Sequence, residues 1–126
     1  MSKKVVKTES APNAIGPYSQ AIVHNGIVYC SGQIPLIPGS MELIDGDIGE
    51  QTDQVMRNLE AVLTKAGSSM GKVLKCTIYL ADMSDFQIVN EIYGRYFQSD
   101  PPARETVAVR TLPKNVSIEI SCIASL

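Results

Sequence analysis

Arg104 has the side chain and the setting that most directly permit chemistry. It follows Pro101, Pro102 and Ala103 at the start of a predicted strand. Proline has a fixed φ and no N–H group, so this approach to the strand is stiff. A guanidinium held there presents a planar pair of donors that matches a carboxylate, and it stays charged at any working pH. The residues alone leave two interpretations open: an anion-binding arginine, or a surface arginine at a strand end.

Two further polar side chains stand in apolar runs. Glu119 lies between Ile118 and Ile120 in the last predicted strand, although glutamate is a poor β-former. It therefore either faces solvent or serves a purpose such as orienting a water molecule. Asn90 borders the apolar stripe of the second predicted helix. Its amide either makes a structural hydrogen bond or contributes to a site.

Two polar loops flank a predicted hairpin. The first presents Tyr18 after Gly16-Pro17, and the second is Ser31-Gly32-Gln33. The glycine of the second loop lets a backbone or a ligand approach closely, and the serine offers a hydroxyl group. This loop is too short to bind a phosphate as glycine-rich loops do. His24, the only histidine, lies beside the hairpin turn, so no Ser/His/Asp set is available.

The composition indicates one ordinary globular domain over residues 1–126. Apolar residues make up 44% of the chain and charged residues 19%, which argues against disorder. The formal net charge of −2 disfavours nucleic acid as a partner. No apolar run is long enough for a membrane span, and the first residues do not resemble a secretory signal. We therefore expect a cytoplasmic protein.

The three cysteines, Cys30, Cys76 and Cys122, are widely spaced and lie in apolar, strand-like runs. An odd number without CxxC spacing matches neither a disulfide framework nor a zinc site. We expect free, buried thiols, and neither a metal nor another cofactor.

The strongest local signal is a hairpin with the sequence AIVH-NG-IVYCS, from residue 21 to residue 31. Its Asn-Gly pair tolerates the positive φ angles of a two-residue type I′ turn. Pairing then places Val23 opposite Val28 and Ile22 opposite Tyr29.

Two amphipathic helices are predicted. Apolar residues recur at helical spacing from about Glu50, and Gly67 follows as the C-terminal cap. The second helix is predicted to begin at Ser84, with Gln87 as its capping-box partner, and to end before Pro101. A strand between the helices alternates, and one of its faces is predicted to hold Leu74, Cys76, Ile78 and Leu80.

The predicted order is β-β-β-α-β-α-β-β, an α+β domain in which both helices cover one face of a single mixed sheet. The other face mixes polar and apolar side chains, namely Lys75, Thr77, Tyr79, Glu119, Ser121 and Ile123. Such a face is either wetted by solvent, as in many antiparallel sheets, or covered by another subunit.

Five segments of the chain resemble, in order and spacing, the Rid family of YjgF-like proteins. They are IGPYSQA, VYCSGQIP, QVMRNLEAVLTKAG, KVLKCTIYLADMSDFQIVNEIYGRYF and PPARETVAVRTLPKNVSIEISCIA. The most specific part is the closing pattern of Pro-Ala-Arg at 102–104, Leu-Pro at 112–113 and Ile-Glu-Ile at 118–120. The resemblance extends from about residue 5 to the end of the chain.

The resemblance implies a chorismate-mutase-like fold and a homotrimer whose sheets form a central β-barrel. It also implies hydrolysis of reactive 2-imino acids, such as 2-iminobutanoate and 2-iminopropanoate, to 2-oxo acids and ammonia at clefts between subunits, without metal or cofactor. Arg104 matches the family's arginine for the substrate carboxylate, and Glu119 matches the glutamate that positions or activates water. Matches to residues that line the cleft or lie near the substrate are Tyr18, Ser31, Gly32, Asn90 and Thr106.

Two positions depart from the family pattern. Thr106 replaces a frequent cysteine whose backbone carbonyl is thought to face the imine nitrogen, so the change of side chain need not remove this role. Glu105 stands where a small residue is usual. Strand alternation points Glu105 away from Thr106 and predicts an exposed carboxylate, which would weaken the attraction of the cleft for an anion.

Two other functions stay open at this point. Some relatives are described as endoribonucleases or translation inhibitors, but this chain lacks a basic surface and a histidine pair for attack by the RNA 2′-hydroxyl. The third function is that of a trimer that binds small carboxylates or unfolded partners without turnover.

Overall fold

The computed structural model describes residues 2–126, and its elements follow the predicted order. The strands are β1 (Lys4–Val6), β2 (Ala21–His24), β3 (Ile27–Gln33), β4 (Val73–Leu80), β5 (Ala103–Ala108) and β6 (Ile118–Ser125). The helices are α1 (Ile48–Ala66) and α2 (Phe86–Gly94).

The strands form one mixed sheet in the order β1-β2-β3-β6-β4-β5. β4 and β5 run parallel, because α2 carries the chain back between them, whereas the other neighbouring strands are antiparallel. Both helices pack on the face where alternate residues of β6, from Ile118 to Ala124, are buried. The predicted single mixed sheet with two helices on one face is confirmed.

The hairpin between β2 and β3 has the predicted register. Val23 pairs with Val28, and Ile22 pairs with Tyr29. The two turn residues, at positions 25 and 26, have φ angles of 51° and 76°, as the two-residue turn requires. Local sequence is sufficient here because the turn itself determines how the two strands align.

Helix α1 is capped at both ends by its own sequence. Asp47 Oδ1 accepts a hydrogen bond from the Glu50 backbone N–H at 2.9 Å, and Glu50 Oε1 accepts one from the Asp47 N–H at 3.2 Å. Gly67 ends the helix in the left-handed conformation, with a φ of 92°. The predicted cap at Gly67 is confirmed, and the helix begins at Ile48, slightly earlier than predicted.

The predicted start of α2 is wrong. Asp82 caps this region instead, because its Oδ1 accepts a hydrogen bond from the Ser84 N–H at 2.9 Å and opens a 3₁₀ turn at Met83–Asp85. Ser84 therefore acts as a donor to the preceding cap and forms no capping box with Gln87. The α-helix begins only after this turn, and it ends well before the two prolines.

The predicted orientation of Leu74 is also wrong. Val73 pairs with Ala124 and Lys75 pairs with Ile123, so Leu74 is an extra residue in a β-bulge. The bulge shifts the alternation, and Leu74 is 48% exposed while Val73 is buried. A bulge depends on both paired strands, and the pattern within one strand does not reveal it.

The two faces of the sheet differ in what they bury. The three cysteines are free and buried in the core beneath the helices, as predicted. On the opposite face, the six side chains of mixed character are each partly exposed. None of the helices within residues 2–126 is long and apolar enough to cross a membrane.

Candidate active site

The residues predicted to form the site fall into two groups in the folded chain. The first group, named the arginine cluster, consists of Asn90, Arg104 and Thr106 at the sheet edge where β5 meets α2. The second group consists of Tyr18, Ser31, Gly32 and Glu119, which line a single cavity, named the glutamate cavity. Each group is built by different elements, and the two differ in their exposure to solvent.

Arg104 is clamped by one face of α2. It pairs with Cys76 of β4, whose side chain is buried, so the guanidinium points toward the helix. Its Nη1 donates a hydrogen bond to Asn90 Oδ1 at 2.6 Å. Its Cζ lies 5.1 Å from the ring centroid of Tyr93 and 5.5 Å from that of Phe86. The three helix residues are spaced by four and three positions, so they share one face of α2.

The positive charge of Arg104 has no carboxylate partner among residues 2–126. The ion pairs in this range join Arg57 to Asp53, Lys75 to Glu105, and Arg95 to Glu91. The groups beside the guanidinium are neutral, because burial raises the pKa of the Tyr93 hydroxyl and of the Cys76 thiol. Arg104 itself is exposed. A guanidinium that is held in place, charged and open to solvent is suited to binding a small anion such as a carboxylate.

Thr106 lies two residues beyond Arg104 on the same side of β5, where it pairs with Ile78. Its Oγ1 is buried and has no hydrogen-bond partner within the described part of the chain. A buried polar group left without a partner costs roughly 1–3 kcal/mol. Thr106 therefore carries a polar group that the single chain does not satisfy.

The glutamate cavity has a volume of about 540 Å³ and lies beside the end of β3. Its polar lining includes Tyr18, Gln20, Ser31, Lys114 and Glu119, and its apolar lining includes Ile15, Ile34, Leu36 and Met41. Glu119 is partly buried, and burial raises the pKa of its carboxyl group above the usual value. A carboxylate with a raised pKa is the stronger proton acceptor, as general-base chemistry on a water molecule requires.

The close approach of Glu119 requires a glycine at position 32. β3 pairs regularly with β6 as far as Cys30 and then shifts register before Gln33. This irregularity brings the Gly32 backbone against the carboxylate, and a Cβ at this position would lie 2.8 Å from Cδ of Glu119. A larger residue would have to displace the carboxylate, which explains the glycine.

The prediction of a loop at Ser31-Gly32-Gln33 is wrong, because these residues form the end of β3. The loop before the hairpin is bonded to this end of the strand. Ser31 Oγ donates a hydrogen bond to the Ser19 carbonyl at 2.6 Å, and the Ser31 N–H donates to the Gln20 carbonyl at 3.0 Å. Tyr18 follows Gly16, whose φ of 117° turns the chain, and the tyrosine is 54% exposed. The loop of Tyr18 and the end of β3 thus form one wall of the glutamate cavity, and the Ser31 hydroxyl is already engaged in holding it.

A single chain does not bring the two groups together. Glu119 lies on β6 and Arg104 on β5, with β4 between them. Glu119 points to the face away from the helices, whereas Arg104 points toward α2. The sequence analysis predicts one pocket that Arg104 and Glu119 complete together, partly across a subunit boundary. One chain supplies the two halves at separate places, so the shared pocket stays a prediction.

Comparison with known proteins identifies the family. Residues 8–126 match the model of the family described as Endoribonuclease L-PSP. The chain belongs to this family. A crystal structure from Yersinia pestis, assigned to the conserved Rid protein family, is 48% identical, with a TM-score of 0.97 over 99% of this chain and 100% of that one. The predicted membership of the Rid family and its fold is thus confirmed, whereas the homotrimer stays a prediction.

Two other relatives are linked to small nitrogen-containing acids, one by its name and one by a bound molecule. The chain is 44% identical to the human 2-iminobutanoate/2-iminopropanoate deaminase, over 97% of this chain and 89% of the human one. It is 38% identical to E. coli TdcF, which was crystallised with bound serine, with a TM-score of 0.93 and 98% of each chain covered. The Rid family therefore includes at least one imine deaminase.

Two rings beside Arg104 are site residues that the sequence does not single out. The sequence places Phe86 and Tyr93 on the apolar face of the second helix without assigning them to the site. The sequence does contain a signal for them. Asn90 lies four residues after Phe86 and three before Tyr93, a spacing that places all three on one helix face. That α2 crosses β5 at this point is a tertiary feature, and no local pattern shows it.

Glu105, which departs from the Rid-family pattern, lies away from Arg104. The carboxylate is exposed, as predicted, and Glu105 Oε1 lies 3.2 Å from Lys75 Nζ. This pairing offsets its charge on the face away from Arg104. Glu105 therefore pairs with Lys75 and not with Arg104.

Proposed function

We propose that this Rid-family protein hydrolyses reactive 2-imino acids, such as 2-iminobutanoate and 2-iminopropanoate, to 2-oxo acids and ammonia. The observation that carries the proposal is Arg104, a clamped and exposed guanidinium without a carboxylate partner among residues 2–126. The name of the human relative and the serine bound to TdcF support this choice of substrate. Serine and a 2-imino acid both carry a carboxylate next to the carbon that bears nitrogen.

In the proposed reaction, Arg104 binds the substrate carboxylate while Glu119 acts on a water molecule. The Glu119 carboxylate accepts a proton from this water as the water oxygen bonds to C2 of the protonated imine. The proton then passes to the amine nitrogen, the C2–N bond breaks and ammonia leaves. The remaining hydroxyl group loses its proton and becomes the 2-oxo group. An imine carbon is already electrophilic, so correct positioning supplies much of the rate.

The other site residues have supporting roles in this proposal. Asn90 orients the guanidinium, and Gly32 gives the Glu119 carboxylate its space. The loop of Tyr18 and the end of β3 at Ser31 close the cavity. The backbone carbonyl of Thr106 would face the imine nitrogen, a role that does not depend on the side chain. No step calls for a metal or another cofactor.

The proposed site lies between two chains of a homotrimer. The arginine cluster and the glutamate cavity lie at separate places in one chain, so a cleft that contains both needs a second chain. The sheet face with mixed side chains would then be covered in the central barrel. Sedimentation equilibrium should give a trimer mass, and a monomer at working concentration would contradict the cleft. The proposed compartment is the cytoplasm, which the three free cysteines favour.

The central experiment is a coupled assay in which threonine dehydratase supplies 2-iminobutanoate. We expect the protein to accelerate its loss and Arg104→Ala to lower kcat/KM by tens-fold or more, since charge-assisted hydrogen bonds are worth roughly 1.5–3 kcal/mol. Arg104→Lys should lose nearly as much, because lysine lacks the planar fork. Arg110→Ala, which removes another exposed arginine just beyond β5, is the matched control and should keep the wild-type rate. Near-normal turnover in Arg104→Ala would refute the site.

The family description favours one second candidate, an endoribonuclease. Cleavage of single-stranded RNA should then survive stringent purification and be lost in both Arg104→Ala and Glu119→Ala. Cleavage that persists in both variants would indicate a contaminant. Tight binding of a 2-oxo acid without acceleration of imine loss would instead indicate a carboxylate-binding protein that does not turn over its ligand.

A further inference from the structure

Two buried amide side chains hold the walls of the glutamate cavity from behind. Among residues 2–126, four polar side chains are almost fully buried, namely Gln20, Gln33, Thr52 and Asn58. Gln20 and Asn58 are 3% and 1% exposed, and each donates hydrogen bonds to the backbone of a loop segment that lines the cavity. The proposed reaction uses neither of them.

Asn58 projects from α1 to the segment that follows β3. Its Nδ2 donates to the Leu36 carbonyl at 2.9 Å and to the Ile34 carbonyl at 3.3 Å. Its Oδ1 accepts a hydrogen bond from Gln54 Nε2 at 2.9 Å, which fixes the orientation of the amide. Ile34, Leu36 and the nearby Met41 form the apolar side of the cavity. One amide therefore ties this wall to the longest helix of the fold.

Gln20 holds the segment before the hairpin in the same way. Its Nε2 donates to the Pro12 carbonyl at 2.8 Å and to the Thr8 carbonyl at 3.0 Å, and its Oε1 accepts from the Thr8 N–H at 2.7 Å. Pro12, Asn13 and Ile15 line the cavity on this side. Gln20 also contributes to the lining itself.

Neither wall belongs to a helix or to the sheet. The segments 7–20 and 34–47 are irregular apart from one isolated bridge between Leu36 and Leu43. Local backbone hydrogen bonds close segment 34–47 on itself, for example from the Ile44 N–H to the Pro35 carbonyl at 2.9 Å. Irregular segments on a protein surface are ordinarily its most mobile parts. The two amides therefore contribute to a fixed cavity width beside the hydrogen bonds that Ser31 makes to the 7–20 segment. A buried amide that lost its partners would leave backbone carbonyls unsatisfied.

We propose that Asn58 and Gln20 are positioning residues, which set the width of the glutamate cavity and thereby which imino-acid side chains it accepts. The inference rests on the proposed function. An imine carbon beside Glu119 leaves the rest of a 540 Å³ cavity to the substrate's side chain. The side chain then meets Ile15, Leu36 and Met41, and this surface favours branched or longer apolar groups over methyl.

The test compares two imines supplied by an L-amino-acid oxidase: 2-iminopropanoate from alanine and 4-methyl-2-iminopentanoate from leucine. Semicarbazide competes for each imine, and a lower yield of semicarbazone reports hydrolysis. The readout is the ratio of kcat/KM for the leucine imine to kcat/KM for the alanine imine. A loss of folded enzyme lowers both values equally and leaves the ratio unchanged.

Wild type should hydrolyse the leucine imine with a higher kcat/KM than the alanine imine, and the reverse order would overturn the inference. Asn58→Leu removes both donors at similar volume, and Gln20→Leu does the same for the other wall. Each should lower the ratio by about tenfold, since contacts to single methylene groups are worth that much in a fitted pocket. Asn58→Asp keeps the shape and the acceptor but not the donors, and it should match Asn58→Leu.

Thr52→Val is the matched control. Thr52 is also buried on α1, but its Oγ1 donates only to the Ile48 carbonyl within the helix. This substitution should leave the ratio unchanged. If the Asn58 variants do not fold, Gln54→Leu removes only the hydrogen bond that orients the Asn58 amide, and it should lower the ratio by a smaller factor, about twofold to threefold.

Two outcomes overturn the inference while the proposed function stands: a lower wild-type kcat/KM for the leucine imine than for the alanine imine, or an unchanged ratio in the wall variants. If neither imine is hydrolysed, the proposed function fails, and binding decides the matter. Calorimetry with 4-methyl-2-oxopentanoate and pyruvate would then support the inference if wild type prefers the larger acid and Asn58→Leu loses the preference. Equal preference in the two proteins would overturn it.

Discussion

The arginine cluster and the glutamate cavity meet different physical requirements. Arg104 is a permanently charged group at an open sheet edge, and two rings and an amide hold it without neutralising it. Glu119 is a titratable group in a cavity, where burial changes its affinity for a proton. Anion binding depends here on a fixed charge, whereas proton transfer depends on a carboxylate whose pKa is raised by burial. The comparison shows that different elements of the fold supply the two roles.

The largest effect should separate the two roles directly. Glu119→Gln keeps the shape of the side chain but removes the proton acceptor, so kcat for 2-iminobutanoate should fall by about 100-fold or more while KM changes little. Arg104→Ala should instead act chiefly on KM. Glu105→Gln, which neutralises an exposed carboxylate on β5, is the control for a change of charge alone. Steady-state kinetics that showed only a higher KM in Glu119→Gln would assign Glu119 to binding.

The next effect tests the close packing of the glutamate cavity. Gly32→Ala places a methyl group 2.8 Å from Cδ of Glu119, so the carboxylate must move. We expect kcat to fall on the order of tenfold, because a small displacement of a catalytic group is costly. The substitution should leave the positions of the side chains in the arginine cluster unchanged.

Gly94→Ala is the matched control for this substitution, because a Cβ at Gly94 has no neighbour within 4 Å. It should keep the wild-type kcat. A Gly32→Ala protein with normal kcat would show that the position of the carboxylate does not limit the reaction.

The two regions also differ in how far the sequence predicts them. The hairpin register, the Gly67 cap and the type of each element follow from local patterns, and so does the choice of Arg104 and Glu119 as candidates. The resemblance adds the family. The bulge at Leu74, the rings beside Arg104 and the amide hydrogen bonds of Asn58 join parts of the chain that are distant in sequence, and periodicity carries no record of them.

The capping error at Ser84 has a different cause. Both Asp82 and Ser84 are good capping residues, and the capping-box pattern favours Ser84 because Gln87 follows it. The structure uses Asp82, whose carboxylate accepts a hydrogen bond from the Ser84 N–H. The sequence alone could not show which of the two residues is the cap, because the answer depends on the path of the chain after β4.

A smaller effect tests the clamp on the arginine side. Tyr93→Leu removes one ring beside the guanidinium and should raise KM twofold to fivefold, since a cation–π contact at an exposed site is worth roughly 0.5–1 kcal/mol. Tyr93→Phe keeps the ring and should keep KM. The Tyr93 hydroxyl is buried beside the Cys76 thiol and has no hydrogen-bond partner among residues 2–126, so Tyr93→Phe should also preserve stability. Equal KM values in the two variants would exclude a contribution from the ring.

The smallest effect is on stability, and its pH dependence distinguishes the two charged groups. Burial raises the pKa of Glu119 in the folded protein, so folding favours its protonated form. The stabilisation from protonated Glu119 is complete at pH values below its unfolded pKa and is lost as the pH rises through the folded pKa. Glu119→Gln should therefore raise the midpoint of thermal unfolding by a few degrees at most at pH 8, and by less at pH 4. Arg104→Ala leaves the Glu119 carboxyl group in place, so its effect on the midpoint should be similar at both pH values. An equal shift for Glu119→Gln at pH 4 and pH 8 would mean that the cavity does not change the proton affinity of its carboxylate.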